Sequence, residues 1–335
     1  MRFGGVRCTF ESTDFELHQS VLAIKMNELE NLQQGLRHLD RVLHNMTFKQ
    51  VREVLSNKLP RVPITITNFD NSPLFFNQRE YGGLNMVYRA RPNLSGSTWT
   101  ASTYMSKKDL SYVPSEWLHK VDYGRVNKSH EAIFYGAFNP STAAIEVLYS
   151  NSDFIANQST FITVGIWQFK QPLILADIPL SKNQHDYLYK KLIDVKGFTS
   201  KFDEAYFEKQ LQRQATFGLS DLESCVLDYI SDKFCESKEG DNHYKISNYY
   251  ADRAFDRYPE HPMLEGGVEG ILYSSVAGAY QNRCIALLPE AVDSKLTFVG
   301  AQLVWVVISD GKFNCNQIDE ASADKDGNLH WEKGR

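Results

Sequence analysis

The sequence predicts an α+β fold with a mixed β core, surrounding helices and a helical extension at the N-terminus. A long stretch with helical leucine spacing comes first, and short apolar runs typical of strands follow it. Helical segments interrupt those runs without the regular alternation of a doubly wound sheet. The composition is that of a globular protein, since 42% of the 335 residues are hydrophobic and 23% are charged.

The first predicted element is a helical region at residues 14–56. Leucines on one helix face recur at intervals of three and four, at Leu29, Leu32, Leu36, Leu39 and Leu43. Because the repeat covers only about two heptads, we expect this helix to pack on the main domain; the alternative is an arm for self-association. Pro60 and Pro63 end the helical region. We expect residues 1–75 to form the extension.

Strands and helices then alternate irregularly. Short runs bounded by turn residues predict strands at 84–91, 132–135, 161–169, 173–178, 270–273 and 295–308. Helices are predicted at 141–149, 220–234 and 246–255. The first of these follows an Asn139-Pro140 sequence suited to a helix start, and the second has Ser220 and Glu223 at capping-box spacing. Residues 311–335 are expected to form a polar hairpin or tail.

Charge and motif content exclude several classes of function. The net charge of −5 gives no basis for binding a phosphate backbone, so nucleic acid is not an expected partner. The longest strongly apolar run, at 303–308, is too short for a membrane span, and the N-terminus lacks a secretory signal. We therefore expect a cytoplasmic protein that binds no membrane. Dispersed cysteines and histidines predict no metal site and no bound cofactor, and both common nucleotide-binding glycine motifs are absent.

Three blocks of sequence carry a family resemblance. They read Val87-Tyr88-Arg89-Ala90-Arg91, then Tyr123-Gly124-Arg125-Val126-Asn127 followed by Tyr135 and Glu146, and finally Gly270-Ile271-Leu272-Tyr273-Ser274-Ser275. In this order and spacing they resemble a RES domain, a family named for its arginine, glutamate and serine, over roughly residues 84–300. Val126 stands where the family has a tryptophan, and His130 stands where it has a glycine.

The resemblance implies a fold similar to that of ADP-ribosyltransferases and a catalytic domain at residues 76–310. RES proteins consume NAD and act as toxins that a cognate antitoxin silences, so it implies NAD as substrate and an antitoxin as a partner. The resemblance assigns catalysis to Glu146, Arg89 and Ser275. It assigns substrate binding to Arg125, Tyr135, Gly124 and Arg91.

These residue types suit cleavage of the nicotinamide–ribose bond, because the transition state places positive charge on the ribose. Glu146 would stabilise that charge, and the arginines would bind the pyrophosphate. Arg89 and Arg91 share one side of a strand, and we prefer Arg89 as the phosphate ligand. Tyr135 is expected to stack on the nicotinamide or form a pocket wall. Ser275 is expected to bond the ribose or to position the nucleophile.

Three alternatives remain open at this point. The acceptor of the ADP-ribosyl group is water or inorganic phosphate in the leading hypothesis. A protein ADP-ribosyltransferase would use the same pocket with a protein as acceptor. A catalytically inactive interaction module would instead use the N-terminal helices as its working surface.

Overall fold

The structure is a computed structural model that describes residues 12–58, 62–69, 85–93, 104–149, 159–194, 219–236, 244–256, 267–277, 282–309 and 312–332. Its strands within these residues are β1 (Ile66–Phe69), β2 (Met86–Pro92), β3 (Phe134–Ala137), β4 (Ser159–Phe169), β5 (Leu173–Asp177), β6 (Gly270–Ser274), β7 (Arg283–Leu287), β8 (Leu296–Ser309), β9 (Lys312–Ala323) and β10 (Leu329–Trp331). They form one sheet in the order β1-β5-β6-β7-β3-β2-β4-β8-β9-β10. Strands β5 and β6 are parallel and the other neighbouring pairs are antiparallel, which confirms a mixed sheet.

The helices of the described residues are α1 (Ser12–Val42), α2 (Phe48–Lys58), α3 (Pro140–Tyr149), α4 (Lys182–Asp194), α5 (Asp221–Cys235), α6 (Lys245–Asp256) and α7 (Pro289–Lys295). Short 3-10 helices occur at Leu43–Asn45, Lys107–Leu110 and Ser115–Lys120. Together with the mixed sheet they confirm the predicted α+β class. Both predicted helix starts are also present: the Asn139 side chain accepts the Thr142 amide at 2.7 Å, and Ser220 and Glu223 form a capping box.

The helical region predicted at residues 14–56 is confirmed, and the structure divides it into two helices. The break falls at Met46, whose backbone is extended, and Thr47 starts α2 with its own cap. The Thr47 amide and hydroxyl both donate to the Gln50 side chain, at 2.8 and 2.9 Å, and the Gln50 amide donates back to Thr47. This capping box was present in the sequence as T-F-K-Q and marks a new helix start.

Helix α1 packs on the main domain, as its leucine spacing predicts. Leu36, Leu39 and Leu43 are buried, and the Asp40 carboxylate accepts a hydrogen bond from Tyr229 of α5 at 2.8 Å. Lys233 of the same helix forms an ion pair with Asp40 at 2.9 Å. Self-association through the N-terminal helices stays a prediction. No helix in the described part of the chain is long and apolar enough to cross a membrane.

Four elements were not predicted, namely β1, β7, α4 and α7, whereas β9 and β10 pair as a hairpin within residues 311–335. Strand β7 is a fully buried run of only five residues, and such short apolar runs carry no diagnostic periodicity. Strand β9 lies near the edge of the sheet and is rich in polar side chains. The sheet thus takes β1 from residues 1–75 and β9 and β10 from residues 311–335. The division into extension, catalytic domain and tail stays a prediction.

The sheet has a seam between β3 and β2. These strands are joined through one residue pair, Tyr88 with Ala137, whereas β2 pairs with β4 along its whole length. Apolar side chains fill both faces of the sheet. One face packs against α1, α2, α3, α5 and α6, and the other is built on aromatic residues such as Phe134 and Trp167. The seam leaves space at the centre of the molecule, next to α3.

Replacing Leu39 with alanine tests whether α1 belongs to the cooperative fold. Leu39 is 3% exposed, so its truncation leaves a cavity, and we expect the free energy of unfolding to fall by about 2–5 kcal/mol. The control is Gln34→Ala on the exposed face of the same helix, which should change stability by less than about 0.5 kcal/mol. Urea denaturation measures both. Equal effects of the two variants would show that α1 is not packed as described.

Candidate active site

A cavity of about 350 Å³ lies at the seam, beneath α3 and beside the start of α6. Its volume falls within the range of small-molecule sites. The residues that line it are Tyr88, Arg89, Ala90, Tyr123, Gly124, Arg125, Tyr135, Gly136, Ala137, Ala143, Glu146, Val147, Tyr244, Tyr273 and Cys284. Five of the seven predicted site residues are therefore in the lining: Arg89, Gly124, Arg125, Tyr135 and Glu146.

A tight turn at residues 124–127 presents Arg125 to the cavity. The Gly124 amide donates to the Asn127 carbonyl at 3.0 Å, and the Tyr135 hydroxyl accepts the Val126 amide and donates to the Asn127 side chain, both at 2.8 Å. A Cβ atom on Gly124 would collide with the Asn127 side chain and lie 2.8 Å from the Tyr135 hydroxyl. Glycine is therefore required at position 124, because the Asn127 and Tyr135 side chains lie too close for a Cβ atom. The Tyr135 hydroxyl stabilises the turn through its two hydrogen bonds.

His130, which replaces a family glycine, adopts the backbone conformation that glycine favours. Its φ is 67°, and its amide donates to the Val121 carbonyl at 3.0 Å. The left-handed region is costly for a residue with a Cβ atom. The loop after the turn therefore retains the glycine-like path although the glycine itself is absent.

The Glu146 carboxylate is fixed at both of its oxygens. Oε1 accepts the Ser275 hydroxyl at 2.5 Å and the Ala277 amide at 3.1 Å, and Oε2 lies 3.6 Å from the Arg125 guanidinium. Its side chain is only 15% exposed. Because α3 carries Glu146, Ser275 follows β6 and Arg125 lies in the turn, the carboxylate joins three separate parts of the chain.

Ser275 lies outside the cavity lining and is fully buried, with 0% exposure. Its amide donates to the Asn282 carbonyl at 2.8 Å, which fixes the backbone after β6. In this structure the Ser275 hydroxyl contacts the carboxylate behind the cavity and is not on the cavity surface. This geometry favours a positioning role over the direct ribose contact considered from the sequence.

Arg125 is held as a cation in spite of its burial. Burial lowers the pKa of the guanidinium, but the negative charge of Glu146, together with smaller contributions from Tyr273, Tyr244 and Cys284, raises it, so that the pKa lies above its ordinary value. The Tyr244 ring lies 5.9 Å from its central carbon, within the range of a cation–π contact.

Arg89 is a buried cation without a carboxylate partner among the described residues. Its Nη1 donates to the Tyr135 carbonyl across the seam at 3.1 Å, and its central carbon lies 5.3 Å from the Phe134 ring centroid. Its Nε is buried and has no hydrogen-bond partner in that part of the chain. Burial and then repulsion from Arg91 lower its pKa to about 9, so it is still charged at neutral pH. A charge placed this way favours an anionic ligand.

Arg91, which shares a side of β2 with Arg89, is outside the lining. Its Nη2 donates to the Ser111 carbonyl at 3.1 Å. Burial lowers the pKa of Arg91, and the negative charge of Asp109 opposes that shift. The structure therefore separates the two arginines that strand alternation could not distinguish.

Sequence reasoning missed several residues of the cavity. Tyrosines dominate these, at Tyr88, Tyr123, Tyr244 and Tyr273, and with Tyr135 they give the cavity five phenol rings. Tyr88 and Tyr273 stand in the quoted sequence blocks, but a tyrosine in an apolar strand is more often core than ligand. Tyr244 precedes a helix distant in sequence from the other blocks, so no local pattern marks it.

The remaining lining groups limit the chemistry. Cys284 is fully buried and burial raises the pKa of its thiol well above the usual value, so it stays protonated and is a poor nucleophile. Among the described residues, no three His, Cys, Asp or Glu side chains lie together as a metal site would require. Among the residues that the structure describes, the charged groups facing the cavity are two arginines and one carboxylate.

Comparison with known proteins agrees with this geometry. A search of curated proteins finds no match for the chain. The family model for the RES domain matches residues 86–304, about two thirds of the chain, from β2 to within β8. This span contains every residue that lines the cavity. The order of the three blocks, their convergence on one cavity and this match establish that the chain belongs to the RES domain family.

Proposed function

We propose that this protein degrades NAD by cleaving the bond between nicotinamide and ribose. The observation that carries the proposal is the Glu146 carboxylate, which is held at the cavity by the Ser275 hydroxyl, the Ala277 amide and Arg125. Membership of the RES family supports NAD as the substrate. Water or inorganic phosphate is the acceptor, and the chain is an NAD glycohydrolase or NAD phosphorylase.

The reaction breaks the bond between ribose C1′ and the nicotinamide nitrogen. The bonding electron pair leaves with nicotinamide, whose ring becomes neutral, and positive charge develops on the ribose. Water then adds to C1′ to give ADP-ribose and a proton, or phosphate adds to give phosphorylated ADP-ribose. A carboxylate fixed beside C1′ stabilises the transition state more than the ground state, which lowers the barrier. Glu146 has this role because its orientation is set before substrate binds.

The two cavity arginines bind the pyrophosphate. The net charge of −5 cannot attract an anionic dinucleotide, so attraction must come from a local cluster. Arg89 supplies a buried cation that has no carboxylate partner among the described residues, and Arg125 supplies a second cation turned toward Glu146. Forked guanidinium groups suit phosphate oxygens better than the point charge of a lysine does.

The tyrosine-rich walls suit the nicotinamide end of the substrate. The faces of phenol rings attract flat aromatic groups and cations, and the ring of oxidised NAD is both. Tyr135 keeps its hydroxyl engaged with Val126 and Asn127, which leaves its ring as the surface that contacts a ligand. This favours a wall or stacking role for Tyr135 over proton transfer.

Loss of NAD would stop growth of the cell that produces the enzyme, so we further propose that the protein is a toxin and that a cognate antitoxin silences it. Family membership supports this role.

The described residues include no cluster suited to a metal, and the proposed reaction requires no cofactor beyond NAD as substrate.

Replacing Glu146 with glutamine removes the charge but keeps the shape of the side chain. We expect kcat for nicotinamide release to fall at least about a hundredfold, because the developing ribose charge loses its stabilising partner. Glu116→Gln, at an exposed carboxylate in a 3-10 helix, is the control and should match the unaltered protein. Assays with labelled NAD, with and without phosphate, measure the rate and identify the product.

The same assay separates the competing functions. Free ADP-ribose or its phosphorylated form supports the proposal. Label retained on protein would replace it with an ADP-ribosyltransferase, and absence of turnover in every condition would favour an inactive interaction module. Unchanged turnover by the Glu146→Gln protein would contradict the mechanism.

Arg89→Lys and Arg91→Lys form a matched pair on one strand. Lysine cannot reproduce the forked contact, so at Arg89 we expect KM for NAD to rise roughly tenfold or more. At Arg91, which contacts Ser111 outside the cavity, KM should change by less than about threefold. Steady-state kinetics measure both variants. A larger effect at Arg91 would reverse the assignment of the phosphate ligand.

A further inference from the structure

Helix α6 connects the cavity with the N-terminal helices. Tyr244, directly before α6, lines the cavity, and the opposite side of α6 packs against α2. Val51 and Leu55 of α2 and Tyr249 of α6 are at most 1% exposed, so this packing is close. The matched family region begins at residue 86, after both N-terminal helices. The helices nevertheless contact the element that carries one wall of the site.

Asn248 of α6 holds the turn that carries Arg125. It is 1% exposed, and its Nδ2 donates to the Gly124 carbonyl at 2.7 Å and to the Tyr244 carbonyl at 2.8 Å. The Tyr244 carbonyl also accepts the Asn248 amide and the Ser247 hydroxyl, at 2.8 and 3.1 Å. Because the Tyr244 carbonyl has these other donors, the contact that depends on the Asn248 side chain is the one with the Gly124 carbonyl. It fixes the turn at the Gly124 carbonyl, whereas the Tyr135 hydroxyl contacts Val126 and Asn127.

Lys245 in turn ties α6 to the N-terminal segment. Its Nζ donates to the Met46 carbonyl at 2.5 Å and lies 3.4 Å from the Leu43 carbonyl, at the break between α1 and α2. These carbonyls end a helical stretch, where a cation is favourable. Lys245 therefore attaches the first turn of α6 to the N-terminal segment. The same turn contains Asn248, and Tyr244 directly precedes it.

A second connection joins the same elements. Lys128, directly after the turn, pairs with Asp252 of α6 at 2.6 Å and lies 5.5 Å from the ring centroid of Phe48 in α2. The turn is thus attached to α6 on both sides, by Asn248 and by Lys128. Lys128 contacts residues 43–58 directly through Phe48, and Asn248 is linked to them through the helix that it shares with Lys245.

We propose that Asn248 is a positioning residue for Arg125, and that residues 43–58 brace it through Lys245. The N-terminal segment then contributes to substrate binding although it lies before the family domain and does not line the cavity. The expected effect of Asn248 on KM rests on the proposed NAD cleavage, whereas its expected effect on the structure of the turn does not. Two measurements keep these apart: hydrogen exchange at the turn, and KM for NAD.

Asn248→Leu keeps the volume of the side chain and removes its contact with Gly124. We expect the amides of residues 124–127 to exchange roughly tenfold faster, because the turn loses one buried hydrogen bond. KM for NAD should rise about tenfold with kcat reduced less than threefold, as loss of uniform binding requires. Ser247→Ala is the matched control, since Ser247 is fully buried and bonds the same Tyr244 carbonyl without reaching Gly124.

Hydrogen exchange tests whether Asn248 positions the turn even when no variant turns over NAD. Exchange at the turn that is unchanged in Asn248→Leu, or equally fast in Ser247→Ala, would overturn that positioning role. Asn248→Ala, which cannot donate to Gly124, provides a second variant if the leucine protein does not fold, and it should act in the same direction. Faster exchange with unchanged KM in an active protein would contradict the link from Asn248 to substrate binding.

Lys245→Met tests the brace itself. Loss of the contact with Met46 and Leu43 should accelerate exchange at residues 124–127 severalfold, and Lys245→Arg, which keeps a donor, should restore most of the protection. Lys295→Met is the control, because Lys295 also donates to a backbone carbonyl, that of Pro172, outside the cavity. A change confined to residues 43–58, with the turn unaffected, would show that the N-terminal segment does not brace the site.

Discussion

The ion pair and hydrogen bonds around Glu146 link the parts of the chain on which the site depends. One carboxylate accepts the Ser275 hydroxyl and the Ala277 amide, and its second oxygen faces Arg125. A buried carboxylate is costly unless such partners satisfy it, so the end of β6, helix α3 and the turn at residues 124–127 must come together in one arrangement. The same partners determine where the carboxylate points. Stability and orientation therefore have a common origin here.

The seam between β2 and β3 provides the space for this arrangement. The two strands share only the pair formed by Tyr88 and Ala137, and the cavity that Glu146 lines lies at this position. Arg89 crosses the opening to the Tyr135 carbonyl. Arg89, Glu146 and the tyrosine rings thus line one cavity at this seam.

Much of the fold, and five of the residues that line the candidate site, could be predicted from the sequence. The long or strongly patterned elements, such as β4, α3 and α5, lie where their periodicity and caps indicate. Strand β7 and helix α7 were missed because each is short, and the break before α2 was missed although Thr47 and Gln50 marked it. Ser275 and Glu146 are far apart in sequence, and the ordered blocks predicted only that they belong to one site; the structure adds the contact between them. Asn248 gave no signal at all, because its role depends on the tertiary contact with Gly124.

In the proposed mechanism Glu146 stands beside the ribose carbon of bound NAD while the arginines hold the pyrophosphate. A crystal structure of the Glu146→Gln protein soaked with NAD would show this arrangement. We expect nicotinamide among the cavity tyrosines, ribose C1′ in van der Waals contact with the residue 146 side chain, and phosphate oxygens on Arg89 and Arg125. NAD bound away from the seam, or bound with its nicotinamide ribose remote from residue 146, would contradict it.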